Sequence, residues 1–274
     1  MSQELRLALN RMAVPRVSFD AFAALSRRLG IHAIEIRNDL PGVEINDGMS
    51  AGDVGAIARA HGLTIRSINA LQRFEQFTPE RRAEAIALAQ YAQACGAEAL
   101  VLCPTNSITD ARSAAERHAA LVDALTQLKP ILADHGLVGL VEPLGFEECA
   151  VRRKSQAVRA FEEINADATF RLVHDTFHHH LADEGLFFPA WTGLIHISGV
   201  EDAALPVNQM RDNHRVLVGG ADVLGNVAQL RTLLAAGYAG CISFEPFAEE
   251  IAAASDIEAQ LAASIAHLRA GVLG

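Results

Sequence analysis

The chain has 274 residues, 50% of them hydrophobic and 20% charged, a composition that fits one large α/β domain or two small ones. Its formal net charge of −10 argues against a nucleic-acid partner, because binding to a phosphate backbone needs a clustered basic surface. The N-terminus shows no leader pattern, and no apolar run approaches the ~20 residues that span a bilayer, so we predict a soluble cytoplasmic protein with no membrane partner.

Short β-like runs alternate with alanine-rich helical stretches along the whole chain. We predict strands at 5–10, 32–37, 63–70, 98–104, 136–143, 169–175, 193–198 and 240–247. We predict helices at 18–30, 50–61, 79–95, 110–135, 153–165, 222–236 and 255–270. The third helix has the clearest limits, since Thr78 and Pro79 form a start signal and Gly96 a stop signal.

Eight strands that alternate with helices over about 250 residues predict a (β/α)₈ TIM barrel, an α/β fold. A doubly wound open sheet is the competing fold. The sequence after the first strand is LNRMAVP, without the GxGxxG pattern that such sheets use to bind dinucleotides. No linker or change in composition divides the chain, so we predict a single domain over 1–274.

Two connections stand out between the later strands. The segment 178–190 has an irregular pattern, and 199–222 is long, polar and charged. Loops longer than about 12–15 residues are usually functional or disordered. The cysteines lack CxxC spacing and stand in apolar segments, which predicts buried free thiols rather than a disulfide or a zinc site. They are Cys95, Cys103, Cys149 and Cys241.

The last four strands each end in a residue that can bind a metal ion. These residues are Glu142, Asp175, His196 and Glu245. The active site of a parallel barrel lies at the carboxyl ends of its strands, so these side chains should meet at one rim. Clustered buried carboxylates repel one another without a cation. The pattern therefore predicts one divalent metal ion, of a type that accepts oxygen and imidazole ligands: Mn²⁺, Mg²⁺, Co²⁺ or Zn²⁺.

The histidines of the stretch RLVHDTFHHH, residues 171–180, receive different predictions. His178 follows Asp175 by about one helical turn and can fold back over the rim, where it would orient a ligand or contact a substrate. His174 precedes Asp175 in the strand and should point to the opposite face, towards the helices. We expect His179 and His180 to be surface or loop residues.

Several blocks of the sequence resemble one family. They are LALNRMAVPRVSFDAF and INDGMS near the start, then VEPLGFE, LVHDTFHHHLADEG, LIHISGVED, MRDNHRVLVGGAD and ISFEPF in order. Together they are similar to the xylose isomerase-like TIM-barrel superfamily, and within it to the 2-keto-myo-inositol (inosose) isomerases of myo-inositol catabolism. The resemblance covers roughly residues 5–250.

The resemblance implies roles for particular residues. The metal ligands match Glu142, Asp175, His196 and Glu245, and the two glutamates are the acid/base pair. The substrate-binding residues that it implies are His178, Arg215 and Glu148, the last by its spacing of six residues from Glu142. From its position after the second strand, Arg37 is a further candidate for binding substrate hydroxyls, together with Asn38 and Asn10.

The activity that follows is isomerisation of a keto-inositol through an enediol, with a small keto-polyol as substrate. Three alternatives stay open: an inosose dehydratase, a ketohexose 3-epimerase, and a sugar-binding module without catalysis. The DNA-repair nucleases of the superfamily fit poorly with the net charge of −10. Barrels of this type often self-associate, so the resemblance is compatible with a homo-oligomer.

Overall fold

The computed structural model describes residues 4–42, 44–166 and 168–274, so the first three residues of the predicted domain lie outside the described part. The strands are β1 (Leu7–Asn10), β2 (Ala33–Arg37), β3 (Thr64–Gln72), β4 (Ala99–Cys103), β5 (Val138–Val141), β6 (Phe170–Asp175), β7 (Thr192–Ile197) and β8 (Ile242–Phe244). The α-helices are α1 (Phe19–Arg28), α2 (Ala51–Ala60), α3 (Pro79–Cys95), α4 (Ala114–Asp134), α5 (Lys154–Glu163), α6 (Thr176–Ala182), α7 (Asn226–Ala235), α8 (Glu249–Ala252) and α9 (Ile257–Leu273).

The strands form a closed parallel barrel in sequence order. Each strand pairs with the next one in the chain, and β1 also pairs with β8, where Ala8 lies opposite Ser243. The helices between the strands cover the outside, which explains why the strands are almost continuously apolar. The predicted TIM barrel is therefore confirmed, and the open sheet is excluded.

The inward-facing side chains of the strands form two layers inside the barrel, one apolar and one polar. Leu140, Val173 and Leu194 belong to one buried apolar cluster. Each stands two residues before Glu142, Asp175 or His196, so each shares its strand face with a candidate ligand. The apolar layer therefore lies nearer the amino-terminal end of the barrel, and the polar side chains lie at its carboxyl end.

Helix limits follow the local signals where these are strong. The α3 helix begins at Pro79 behind the Thr78 cap and ends before Gly96, which has a left-handed φ of 82°. Its predicted limits are confirmed. The α4 helix begins with a capping box between Ser113 and Glu116, inside the predicted 110–135.

Two predictions for the stretch after β6 were wrong in part. Residues 176–182 form α6 rather than an irregular segment, because the Asp175 carboxylate accepts hydrogen bonds from the backbone N–H groups of Phe177 and His178. His179 and His180 accordingly lie in this helix and are half-buried. The connection 199–222 is a long loop, as predicted, and contains two 3₁₀ turns.

The cysteines are free thiols in the part of the chain that the structure describes, as predicted, but their burial differs. Cys95 and Cys149 are buried, whereas Cys103 and Cys241 are only partly covered because each points into one end of the barrel. Among the described helices, none combines the length and the apolar character that a membrane crossing requires.

Candidate metal centre

The four predicted ligands converge at the carboxyl end of the barrel. Asp175 is the last residue of β6, His196 lies in β7, and Glu142 and Glu245 directly follow β5 and β8. One ligand atom from each of the four lies within 4.8 Å of the others, and all four side chains are buried. Strand register produces this meeting, since Asp175 pairs with His196, and His196 with Ser243 two residues before Glu245.

The residues fit a single divalent cation. Three carboxylates and one imidazole in a buried cluster carry strong mutual repulsion unless positive charge lies among them. Oxygen and nitrogen donors without a thiolate suit Mn²⁺, Mg²⁺, Co²⁺ or Zn²⁺. In this donor set His196 Nδ1 lies 2.9 Å from Glu142 Oε1 and 3.1 Å from Glu245 Oε2, so one nitrogen faces two carboxylates directly.

Ion pairing strongly shifts the pKa values of His196 and Glu245. Burial lowers the pKa of His196, but Glu245, Glu35 and Glu142 outweigh this effect and raise it well above its usual range. Burial raises the pKa of Glu245, yet His196, Arg215 and Arg37 together hold that pKa far below its usual range. Glu245 is therefore held in its ionised form, the form that binds a metal ion or accepts a proton.

Arg215 ties two of the ligands together. Its Nη2 donates to Asp175 Oδ2 at 2.6 Å and to Glu245 Oε2 at 3.1 Å, while its Nε donates to Ser198 Oγ at 2.9 Å. The guanidinium also lies over the rings of Phe177 and Phe247. Arg215 reaches the site from the long connection 199–222, so this loop supplies a structural part of the centre.

A cavity of about 320 Å³ is bordered by two of the four candidate ligands and can hold a small polyol. Its polar lining includes Glu142, Glu245, Arg37, Arg215 and His178. The apolar lining consists of Pro104, Leu144, Phe146 and Phe247, and Cys103 borders it with its Sγ 3.5 Å from Glu142 Oε2. The cavity therefore places apolar side chains beside the two carboxylates.

The candidate substrate-binding residues lie in three different settings. His178 is buried in α6 at the cavity wall, against the edges or faces of the Phe146 and Phe177 rings, and its Nδ1 has no hydrogen-bond partner among the described residues. Arg37 lines the cavity but pairs with Glu245 at 2.7 Å and with Asp39 at 2.7 Å. Glu148 lines a neighbouring cavity of about 260 Å³ instead.

Two further polar residues near the first strands have structural contacts. Asn10 Nδ2 donates to Glu245 Oε1 at 3.2 Å, so it supports a candidate ligand. Asn38 Oδ1 accepts a hydrogen bond from the backbone N–H of Ala70 and fixes the end of β3. Of this pair, Asn10 is the one that contacts the centre directly.

Sequence reasoning missed Glu35, which is fully buried on β2 and contacts His196 Nε2 at 3.2 Å. Burial raises the pKa of Glu35, but the neighbouring His196 lowers it to about 2. A signal was present in the strand AIEIR, where Glu35 stands two residues before Arg37 and must share its inward face. A carboxylate on the inner face of a barrel strand belongs to the same rim as the ligands.

A second group of buried basic side chains lies behind β6. His174 points away from the barrel interior, as predicted, and its Nδ1 lies 3.0 Å from Lys154 Nζ while its Nε2 lies 2.9 Å from Gln229 Oε1. Lys154 Nζ also lies 2.7 Å from His179 Nδ1. Burial lowers the pKa of Lys154 to about 7, against the opposite effect of Glu184, and lowers that of His179 to about 3. This cluster is separated from the cavity by the strand itself.

Comparison with known proteins gives consistent results. The family model described as "Xylose isomerase-like TIM barrel" matches residues 23–271. The inosose isomerase of Bacillus licheniformis is 34% identical over 143 residues, and the match covers 48% of this chain and 48% of that relative.

Solved structures extend the likeness over the whole length. A xylose isomerase domain-containing protein from Salmonella typhimurium LT2 is 34% identical, with a TM-score of 0.90 and 100% of both chains covered. The IolI protein, whose crystal structure has a bound zinc atom, is 23% identical, with a TM-score of 0.84 and 98% of both chains covered. At that identity the second likeness concerns the fold.

Proposed function

This chain belongs to the xylose isomerase-like TIM barrel family, and from that premise we propose that it is a divalent-metal-dependent isomerase of keto-inositols, a 2-keto-myo-inositol isomerase. The observation that carries the proposal is the position of Glu142 and Glu245, which belong to the ligand cluster and also line the cavity. Its support at the level of substrate is the 34% identity to an inosose isomerase over about half of each chain.

The reaction moves a ketone to the neighbouring carbon. A carboxylate removes the proton from the hydroxyl-bearing carbon beside the ketone, and the electron pair forms a carbon–carbon double bond as the carbonyl oxygen gains a proton. The resulting enediol then loses the proton of the other hydroxyl and gains one on the former carbonyl carbon. A divalent ion bound by Glu142, Asp175, His196 and Glu245 would supply polarisation of the carbonyl.

The protein's own groups have separate tasks in this scheme. Glu142 and Glu245 accept and return the proton, because both carboxylates border the cavity. Burial raises the pKa of Glu245, but His196, Arg215 and Arg37 hold that pKa below its usual range, so Glu245 is ionised and can accept a proton. His178 is placed to donate or accept a hydrogen bond with a substrate hydroxyl, since its Nδ1 lacks a partner among the described residues. Phe146 and Phe247 offer apolar faces to the carbon skeleton of the substrate, since both line the cavity.

The test is proton NMR of 2-keto-myo-inositol in D₂O with the purified chain, with and without Mn²⁺. We expect a new keto-inositol and deuterium at the carbon beside the ketone, only with Mn²⁺, and a loss of about 10²–10⁴-fold in rate for Glu245→Gln. Glu98→Gln is the matched control, since Glu98 is exposed and pairs with Arg66 at the other end of the barrel.

The other outcomes point to specific alternatives. An unsaturated or diketo product would assign the chain as an inosose dehydratase. Turnover of ketohexoses in place of the inosose would indicate a 3-epimerase. No conversion and no deuterium uptake with any of these substrates would contradict catalysis and leave a sugar-binding module.

We extend the proposal to the setting of the reaction. The substrate is a small keto-polyol in the cytoplasm, without nucleic-acid or membrane partners, and the chain self-associates. The support is the net charge of −10 and the resemblance to barrels that form oligomers. Size-exclusion chromatography with light scattering tests the association, and a monomer at micromolar concentration would contradict it.

A further inference from the structure

Glu35 stands beside the proposed metal centre without belonging to the ligand cluster. Its side chain is fully buried, and Glu35 Oε2 lies 3.2 Å from His196 Nε2. The other ring nitrogen, Nδ1, faces Glu142 and Glu245 on the opposite side of the imidazole. The ring therefore lies between Glu35 and the candidate ligands, with one nitrogen towards each.

Both carboxylate oxygens of Glu35 lie near hydrogen-bond donors. Glu35 Oε2 accepts from Ser67 Oγ and, at 3.0 Å, from Asn69 Nδ2. Asn69 Nδ2 also donates to Ser67 Oγ at 3.0 Å, so the Ser67 hydroxyl proton is directed at Glu35. Asn10 Nδ2 approaches Glu35 Oε1 at 3.4 Å.

This arrangement determines the roles of the two groups. A carboxylic acid proton on Oε2 would face the Ser67 and Asn69 donors, so the geometry fits a carboxylate. The nitrogen that faces this carboxylate must then carry a proton and donate it. Consequently Nδ1 is the only imidazole nitrogen of His196 left to coordinate a metal ion.

We propose that Glu35 is a positioning residue that holds the proton of His196 on Nε2 and thereby presents Nδ1 to the metal ion. The inference rests on the proposed metal centre and adds a residue to it. A carboxylate behind a ligating histidine fixes the orientation of the ring and strengthens it as a ligand. Asn10 Nδ2 approaches both Glu35 and the ligand Glu245, so it also links Glu35 to the metal centre.

The first experiment measures Zn²⁺ affinity of the chelator-stripped full chain by competition with a chromophoric chelator. We expect Glu35→Gln to bind Zn²⁺ about 10–100-fold more weakly, because a neutral amide is a poorer acceptor and meets the Asn69 donor. Glu44→Gln is the matched control. Glu44 is a buried carboxylate paired with Arg11 Nε at 2.9 Å, outside the ligand cluster, so its loss should lower stability and leave Zn²⁺ affinity within about twofold.

The second experiment needs no variant. Long-range ¹H–¹⁵N correlation of the histidine rings in the Zn²⁺-loaded wild type should show His196 with a proton on Nε2 and the metal-bound signature on Nδ1. Coordination through Nε2, or equal affinity of wild type and Glu35→Gln, would overturn the role of Glu35. A wild-type chain that binds neither Zn²⁺ nor Mn²⁺ would overturn the metal centre itself, and with it this inference.

Discussion

Arg215 shows how a single side chain holds the centre together. Its guanidinium is 1% exposed and donates to two carboxylates, Asp175 at the end of β6 and Glu245 directly after β8. Two separate nitrogens of one planar group serve these partners, Nη2 for the two carboxylates and Nε for Ser198, whereas the three donors of an ammonium all lie on one atom. At the residue scale, the site depends on the geometry of this cation as much as on its charge.

Replacing Arg215 should therefore destabilise the protein strongly. We expect Arg215→Ala to lower the free energy of unfolding by about 3–5 kcal/mol, because the buried Asp175 loses the cation that pairs with it and the buried Glu245 keeps only Arg37 and His196. Urea unfolding of the metal-free chain measures this. Arg16→Ala is the control, since the Arg16–Glu249 pair is exposed and should contribute about 0–1 kcal/mol. Equal losses in the two variants would contradict the role of Arg215.

At the scale of one element, α6 joins the cavity to the helical shell. Its first turn carries His178 at the cavity wall, and the next residue, His179, contacts Lys154 on the outer side. The helix packs so closely on the loop after β5 that a Cβ at Gly145 would lie 2.2 Å from the carbonyl oxygen of His178. The position of His178 therefore depends on a glycine in a different connection.

Gly145→Ala should displace α6. We expect the free energy of unfolding to fall by about 1–3 kcal/mol, since backbone must move to relieve the contact, and turnover to fall because His178 shifts. Gly185→Ala is the matched control, because a Cβ there meets no atom within 4 Å. Chemical denaturation and the NMR assay measure both effects. A Gly145→Ala variant as stable and active as Gly185→Ala would show that α6 can move freely.

The cluster behind β6 gives a pH-dependent stability. The folded pKa of Lys154 is about 7, lowered by burial, whereas an unfolded lysine titrates near 10.4. Between these values the unfolded chain binds more protons, so the free energy of unfolding should rise with pH, by at most about 1.4 kcal/mol per unit. The histidines that face Lys154, His174 and His179, are neutral in the folded chain over this window because burial lowers their pKa, and in the unfolded chain they are largely neutral above pH 7.

Urea unfolding of wild type and Lys154→Met at pH 7, 8 and 9 isolates this contribution. We expect the wild type to gain stability relative to the variant as pH rises, because Lys154→Met cannot titrate. Parallel pH curves would show that Lys154 keeps an ordinary pKa in the folded chain. Glu184, which accepts from the backbone N–H groups of Lys154 and Ser155, is present in both proteins.

At the scale of the whole molecule, barrel closure concentrates negative charge at one end. Glu35, Glu142, Asp175 and Glu245 come from four strands and are all buried at the same rim. The nearby cations Arg37 and Arg215 compensate part of this charge. A divalent ion at the centre should therefore stabilise the entire fold, since each ligand belongs to a different strand or strand end.

Mn²⁺ should raise the thermal stability of the chelator-stripped chain. At about 100 times its Kd, we expect about 2.7 kcal/mol of stabilisation and a rise in Tm of about 5–10 °C. Differential scanning calorimetry with increasing Mn²⁺ measures this shift. Glu142→Gln, which lacks one ligand, should show a smaller shift at the same Mn²⁺ concentration. An unchanged Tm in the wild type would argue against a metal centre.

The sequence by itself determined the order of the elements, the barrel and the identity of the four candidate ligands. Alternation, glycine stops and carboxylates at strand ends are local features, and parallel strands bring their carboxyl ends together in any barrel of this kind. The helix α6 was missed because its start depends on the Asp175 side chain, which the pattern had assigned only to the metal ion.

The tertiary structure alone decided which groups face one another. Glu35 meets His196 across 161 positions of sequence, and Lys154 meets His174 and His179 behind β6. Arg215 reaches Asp175 and Glu245 from a loop whose path no local pattern predicts. Local propensity sets where a strand begins and ends. Strand register and barrel closure set the distances between side chains on different strands. These distances determine which groups are ionised, which nitrogen carries a proton and which side chains can bind a metal ion.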